Sequence, residues 1–118
     1  MTSTYYRGEL MGGFIKKLSD ASINEFIGAA EQLVIVKFWD PWCSVCTEMA
    51  PVFEGIAKRH HGKAIFADLN MRENPRAAKD LEVYITPSFI LFRGGKEIGR
   101  AGGLLSQEEL EEEIRRHL

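Results

Sequence analysis

Cysteine is scarce in this chain of 118 residues, which holds two, Cys43 and Cys46. Two are too few for the stapled framework of a small secreted domain, and their close spacing suits chemistry better than stapling. Long apolar runs are missing as well. None approaches the ~18–20 residues that span a bilayer, which excludes an ordinary transmembrane helix and argues against a membrane partner. Charge of one sign is not in excess either. The 15 Lys plus Arg face 17 Asp plus Glu, for a formal net charge of −2. No single-sign block is large enough to attract a polyanion, so nucleic-acid binding is not expected. Met1–Gly13, MTSTYYRGELMGG, lacks the apolar segment and cleavage site of a secretory signal, and a cytoplasmic location is the expectation that follows.

What is present suffices for one core. The chain is shorter than the roughly 150 residues of a typical domain. With 45% hydrophobic residues it needs no disulfide or metal to fold. Residues 14–118 read as the domain. Residues 1–13 read as an extension: a flexible lead, a short added strand, or the consequence of a translation start upstream of Met11.

From Phe14 onward, short apolar runs alternate with amphipathic segments, the pattern of a mixed α/β sheet. Phe14 to Lys17 is a short first strand, and Ser22 to Glu25 has the capping-box spacing that opens a helix to about Ala30. Leu33 to Trp39, LVIVKFW, is too uniformly apolar for a half-exposed strand and reads as a central one covered on both faces. A helical period runs from about Cys43 to His60, with Pro51 inside it as a kink. Ala64 to Asn70 is a second buried strand, and Asn74-Pro75 starts a short helix to about Leu81. Gly94-Gly95 joins Ser88–Arg93 to Lys96–Ala101 in an antiparallel hairpin. Gly102 and Gly103 form a flexible break before a terminal helix capped by Ser106 and Glu109.

The chemistry lies in Trp42-Cys43-Ser44-Val45-Cys46, where a strand hands over to a helix. Cys43 then occupies the N-terminal cap, with unpaired backbone amides aimed at its sulfur, a position that favours thiolate. A thiolate attacks disulfides, and a second thiol one helical turn along can close a ring with the first and expel the product. Cys43 is therefore the attacking sulfur and Cys46 the resolving one.

These residues have company. Val34 to Trp39 precedes the Cys-x-x-Cys, and Met49-Ala50-Pro51, Ala67-Asp68-Leu69-Asn70, Thr86-Pro87-Ser88, Phe92 with Gly94-Gly95, and Gly103 to Ser106 follow in order. In this ordered set the chain resembles the thioredoxin family from Phe14 to Leu118. The resemblance implies a thioredoxin fold, a central five-stranded mixed sheet flanked by four helices, and a thiol-disulfide oxidoreductase that reduces protein disulfides through a mixed-disulfide intermediate. It also implies that Pro87 is a cis proline facing the sulfurs, that Thr86 offers backbone groups to an extended substrate, that Trp42 shields the dithiol, and that Gly102 lines the substrate groove. No bound cofactor is implied. Partners would be disulfide-containing proteins and an electron donor of the thioredoxin-reductase type, NADPH- or ferredoxin-linked, acting on a monomer.

Two departures from the family pattern stand out. Ser44-Val45 replaces the family's commonest Gly-Pro between the cysteines, so the reduction potential is not inherited. The family's buried aspartate on the central strand and lysine on its neighbour are exchanged here for Lys37 and Asp68. Paired, they would stay neutral and leave Asp68 as the base for Cys46; alternatively, Lys37 carries its ammonium out to water on its flexible stem.

Other readings compete. Cys-x-x-Cys can be half of a zinc site, but His60, His61 and His117 lack ligand spacing with it, so no metal is expected. His60-His61 reads as a solvated helix end and Glu108 to Glu113 as a solvated helix face. An interaction module or redox switch remains an alternative from a different class, and a disulfide oxidase or isomerase keeps the chemistry but reverses its direction.

Overall fold

Alternate residues of the central strand face two separate apolar layers, and the fold is built around that division. The computed structural model describes residues 14–118; the expectations for residues 1–13 lie outside the described residues. Among the described residues, five strands form one mixed sheet: β1 (Ile15–Leu18), β2 (Leu33–Trp39), β3 (Ala64–Asn70), β4 (Ser88–Arg93) and β5 (Lys96–Gly102). The order is β1-β3-β2-β4-β5, with β1, β3 and β2 parallel and β4 and β5 antiparallel to their neighbours. Four helices complete it: α1 (Ile23–Ala29), α2 (Ser44–His60), α3 (Pro75–Asp80) and α4 (Gln107–Arg115).

Val34, Val36 and Phe38 of β2 pack with Ile23 and Ile27 of α1 and Ala77 and Ala78 of α3. Leu33 and Ile35 join Met49, Phe53 and Ile56 of α2 and Leu110 and Ile114 of α4. The strand is thus covered on both faces, as its uniform apolarity requires. Lys37, between Val36 and Phe38, falls by alternation on the α2 side, where its ammonium lies 5.4 Å from the Phe53 ring centroid. It is 5% exposed, so the ammonium does not reach water freely.

Several local expectations shift. Strand β1 runs one residue later than the sequence pattern gives. Ser22 does not cap α1; its hydroxyl instead accepts the Ser19 amide at 2.9 Å. Helix α3 is capped from across the fold, Asp20 accepting the amides of Arg76 at 3.1 Å and Ala77 at 2.7 Å. The capping box of α4 forms as expected, Ser106 accepting the Glu109 amide at 3.0 Å. Gly94 and Gly95 both have positive φ, 63° and 81°, which a tight hairpin of right-twisted strands needs. Gly102 is not part of a flexible break but the last residue of β5, paired with Ser88. The turn comes at Gly103, whose φ is 81°. No described helix is long and apolar enough to cross a membrane.

Candidate active site

The parallel pairing of β2 with β3 requires a crossover, and α2 is that crossover. Its first turn therefore begins just past the C-terminal end of the central strand, where Cys43 sits as the N-cap with extended backbone (φ −98°, ψ 112°). Its sulfur accepts the amide of Cys46 at 3.1 Å, filling the role that a serine or aspartate oxygen plays in ordinary helices. Both cysteines are free thiols, Cys43 half-buried and Cys46 buried.

Burial alone would push the Cys43 thiol up. Hydrogen bonding from the Cys46 and Thr86 side chains and from the amides of Cys46 and Val45 outweighs it and brings Cys43 below the ordinary thiol value. Cys46 moves the other way, raised first by its burial and then by its hydrogen bond to Cys43. Environment thus eases the ionisation of one sulfur and hinders that of the other.

Opposite Cys43, the Thr86–Pro87 peptide bond is cis, and the Thr86 carbonyl lies 3.5 Å from the Cys43 sulfur. The segment is tied down on both sides: the Gly103 amide donates to the Pro87 carbonyl at 2.9 Å and the Ser88 hydroxyl to the Ile85 carbonyl at 2.7 Å. Trp42 is 77% exposed. The Arg72 guanidinium lies 5.5 Å from its ring centroid, and Asp40 accepts the Trp42 amide at 2.8 Å while pairing with Arg72 at 3.4 Å. Trp42, Cys43, Ser44, Arg72 and Thr86 line one shallow groove of about 450 Å³.

Of the residues the resemblance assigns to substrate, Trp42 and Thr86 line this groove with Cys43, Pro87 follows Thr86 across the cis bond, and Gly102 lies against Pro87 and Ile85. A Cβ added to Gly102 would lie 2.9 Å from the Ile85 Cδ1 and 3.4 Å from the Pro87 carbonyl oxygen. Sequence reasoning missed two exposed apolar side chains on this side of the fold: Ile85, beside Thr86, and Leu104, just past Gly103. An exposed isoleucine or leucine carries no signal in sequence that separates it from core.

Lys37 and Asp68 sit elsewhere, beneath the dithiol. They are register partners on adjacent parallel strands, but the expected pair between them is replaced. Asp68 accepts Lys17 of β1 at 3.1 Å, because Lys17 is its register partner on the other side, and Lys37 forms no ion pair among the described residues. Lys17 was not foreseen. Another miss is Glu111, which is buried rather than part of a solvated face. It receives the Arg59 guanidinium at 2.9 and 3.1 Å and contacts His60 at 2.6 Å, so His60 belongs to this cluster and not to a solvated helix end.

Comparison with known proteins agrees with this geometry. The family model described as Thioredoxin matches residues 14–116. A thioredoxin of Staphylococcus aureus is 36% identical over 104 residues, covering 88% of this chain and 98% of its own. One of Synechocystis is 32% identical over 102 residues, covering 86% and 95%. Among solved structures, a thioredoxin of Malassezia sympodialis superposes with a TM-score of 0.81 at 24% identity, over 89% of this chain and 91% of that one, which speaks to the fold alone. With a thiolate-favouring cysteine at a helix tip, a buried partner one turn on and near full-length relatives at this identity, the chain belongs to the thioredoxin family of thiol-disulfide oxidoreductases.

Proposed function

We propose that Cys43 is the attacking nucleophile and Cys46 the resolving thiol in the reduction of protein disulfides. The observation that carries this reading is the Cys43 sulfur at the tip of α2, accepting the Cys46 amide at 3.1 Å and held below the ordinary thiol value while Cys46 is held above it. The Cys43 thiolate attacks one sulfur of a substrate disulfide; the other leaves as a thiolate and takes a proton from water. Cys46, deprotonated, then attacks the Cys43 sulfur of the mixed disulfide and releases the second substrate sulfur. The substrate disulfide gains two electrons and the Cys43–Cys46 pair loses them.

Trp42, Thr86, Pro87 and Gly102 form the surface on which an extended substrate segment docks, with the Thr86 backbone as its hydrogen-bonding edge. Electrons return from a donor of the thioredoxin-reductase type, and the cycle operates in the cytoplasm, where such dithiols are kept reduced. The test is insulin disulfide reduction with wild type, Cys43→Ser and Cys46→Ser. Cys43→Ser is expected to be inactive, and Cys46→Ser to accumulate a covalent adduct with the substrate through Cys43. A Cys43→Ser protein that keeps its rate, or a Cys46→Ser protein that traps nothing, overturns the assignment.

A further inference from the structure

Beneath the dithiol lies a cavity of about 390 Å³ whose lining includes Lys17, Lys37, Cys46, Glu54 and Asp68. Two of these, Lys37 and Cys46, are buried and form no ion pair among the described residues. Lys37 rises from the central strand with 5% exposure. The carboxylate next to it in the sheet, Asp68, is taken by Lys17 at 3.1 Å. Cys46 is 3% exposed and must nevertheless become an anion to close the ring with Cys43.

We propose that the Lys37 ammonium is the counter-ion of the resolving thiolate: a positioning charge that shares the cavity with Cys46 and lowers the cost of ionising it, so that Cys46 ionises without Asp68 as its base. This rests on the dithiol cycle proposed above and specifies its second half. The Cys46 thiol gives its proton to water, the sulfur attacks the Cys43 sulfur of the mixed disulfide, and the bond from Cys43 to the substrate breaks. The departing thiolate is protonated by water. Lys37 keeps its own proton throughout and neither gains nor loses electrons.

The groups facing Lys37 support this assignment. Lys17 approaches from β1, Asp68 from β3, and Cys46 and Glu54 from α2, while Asp40 of the β2–α2 turn lines the same chamber. Strand β4 brings the apolar Phe89 as the register partner of Lys37. Burial pulls the Lys37 ammonium below the ordinary lysine value, with Asp68 opposing and Lys17 reinforcing that fall. A cation destabilised by burial and by a second cation gains most when an anion appears beside it. The carboxylate, by contrast, already accepts the Lys17 ammonium with one of its oxygens.

The test separates the two. The mixed disulfide of Cys43 with a chromophoric thiol is prepared and its release by Cys46 followed in single turnover across pH, for wild type, Lys37→Met and Asp68→Asn. Methionine matches the lysine stem and suits the apolar wall of Phe53, so the variant is expected to fold. For Lys37→Met the pH midpoint of release is expected to move up by about one unit, the lower end of the shift an opposite charge produces. The rate at neutral pH is expected to fall about threefold, because the tenfold loss of thiolate is partly offset by greater nucleophilicity. For Asp68→Asn the midpoint is expected to stay or move down, since only negative charge has been removed. An unchanged midpoint in Lys37→Met overturns the proposal, as does slowed release in Asp68→Asn, which alone decides the matter if Lys37→Met fails to fold. Failure of the dithiol cycle itself shows differently, as release that persists in Cys46→Ser.

Discussion

Glu111→Gln is expected to loosen the seam between α2 and α4, and to do so only where the carboxylate is charged. Glu111 is a buried acid on α4 that receives two hydrogen bonds from Arg59 and one contact from His60, both on the last turn of α2. The Arg59 guanidinium first, and His60 after it, hold the carboxyl down at about 2 against the opposing effect of burial. An unperturbed glutamate titrates near 4.3, and a difference of this size corresponds to at most about 3 kcal/mol of pH-linked stability. Because the Arg59 side chain is 45% exposed, screening by water reduces the expected contribution of the carboxylate to about 1–2 kcal/mol. The folded value lies below the unfolded one. The contribution is therefore complete above about pH 5 and fades as the pH falls toward 2. Urea unfolding of wild type and Glu111→Gln, repeated between neutral and acid pH, is expected to show a gap of that size at pH 7 that closes steadily on acidification. A gap independent of pH would mean that packing and not charge holds the seam, and no gap at neutral pH would refute the reasoning altogether.

Two further outcomes concern the groove. Trp42→Ala removes a side chain that is 77% exposed, so stability is expected to change by no more than about 0.5 kcal/mol. The KM for a protein disulfide is expected to rise about tenfold, as for loss of a central aromatic contact, with a small symmetrical disulfide nearly unaffected. Gly102→Val places branched carbon against the Ile85 Cδ1, 2.9 Å from where the Cβ falls. It is expected to displace Ile85 into the groove and slow reduction of protein substrates, while alkylation of Cys43 by a small reagent proceeds as before; equal slowing of both reactions would show that the sulfur itself had moved.

Much of this was legible in the sequence because it depends on short-range pattern. LVIVKFW announces a strand buried on both faces, and a Cys-x-x-Cys immediately beyond it places the first sulfur at a helix tip. What the sequence hid depends on partners many residues away. Lys17 takes Asp68 from Lys37 because β1 lies on the outer side of β3, and neither strand order nor the register of a four-residue strand can be read from apolar alternation. Glu111 sits in a run of glutamates that looks uniformly solvated, and its burial follows from where α2 ends. Ser22 has the spacing of a cap, yet its hydroxyl is claimed by Ser19. Gly102 looks like a break and is paired strand, because β5 continues until the backbone turns at Gly103.

The most direct measurement is the pH dependence of alkylation at each sulfur in the reduced protein, read site by site by mass spectrometry. Cys43 is expected to react first, with a rate that levels off below the ~8.5 of an ordinary thiol, while Cys46 stays protected until higher pH. A Cys43 rate still climbing past that value, or Cys46 reacting ahead of it, would contradict the claim that the tip of α2 holds its thiol below the ordinary value.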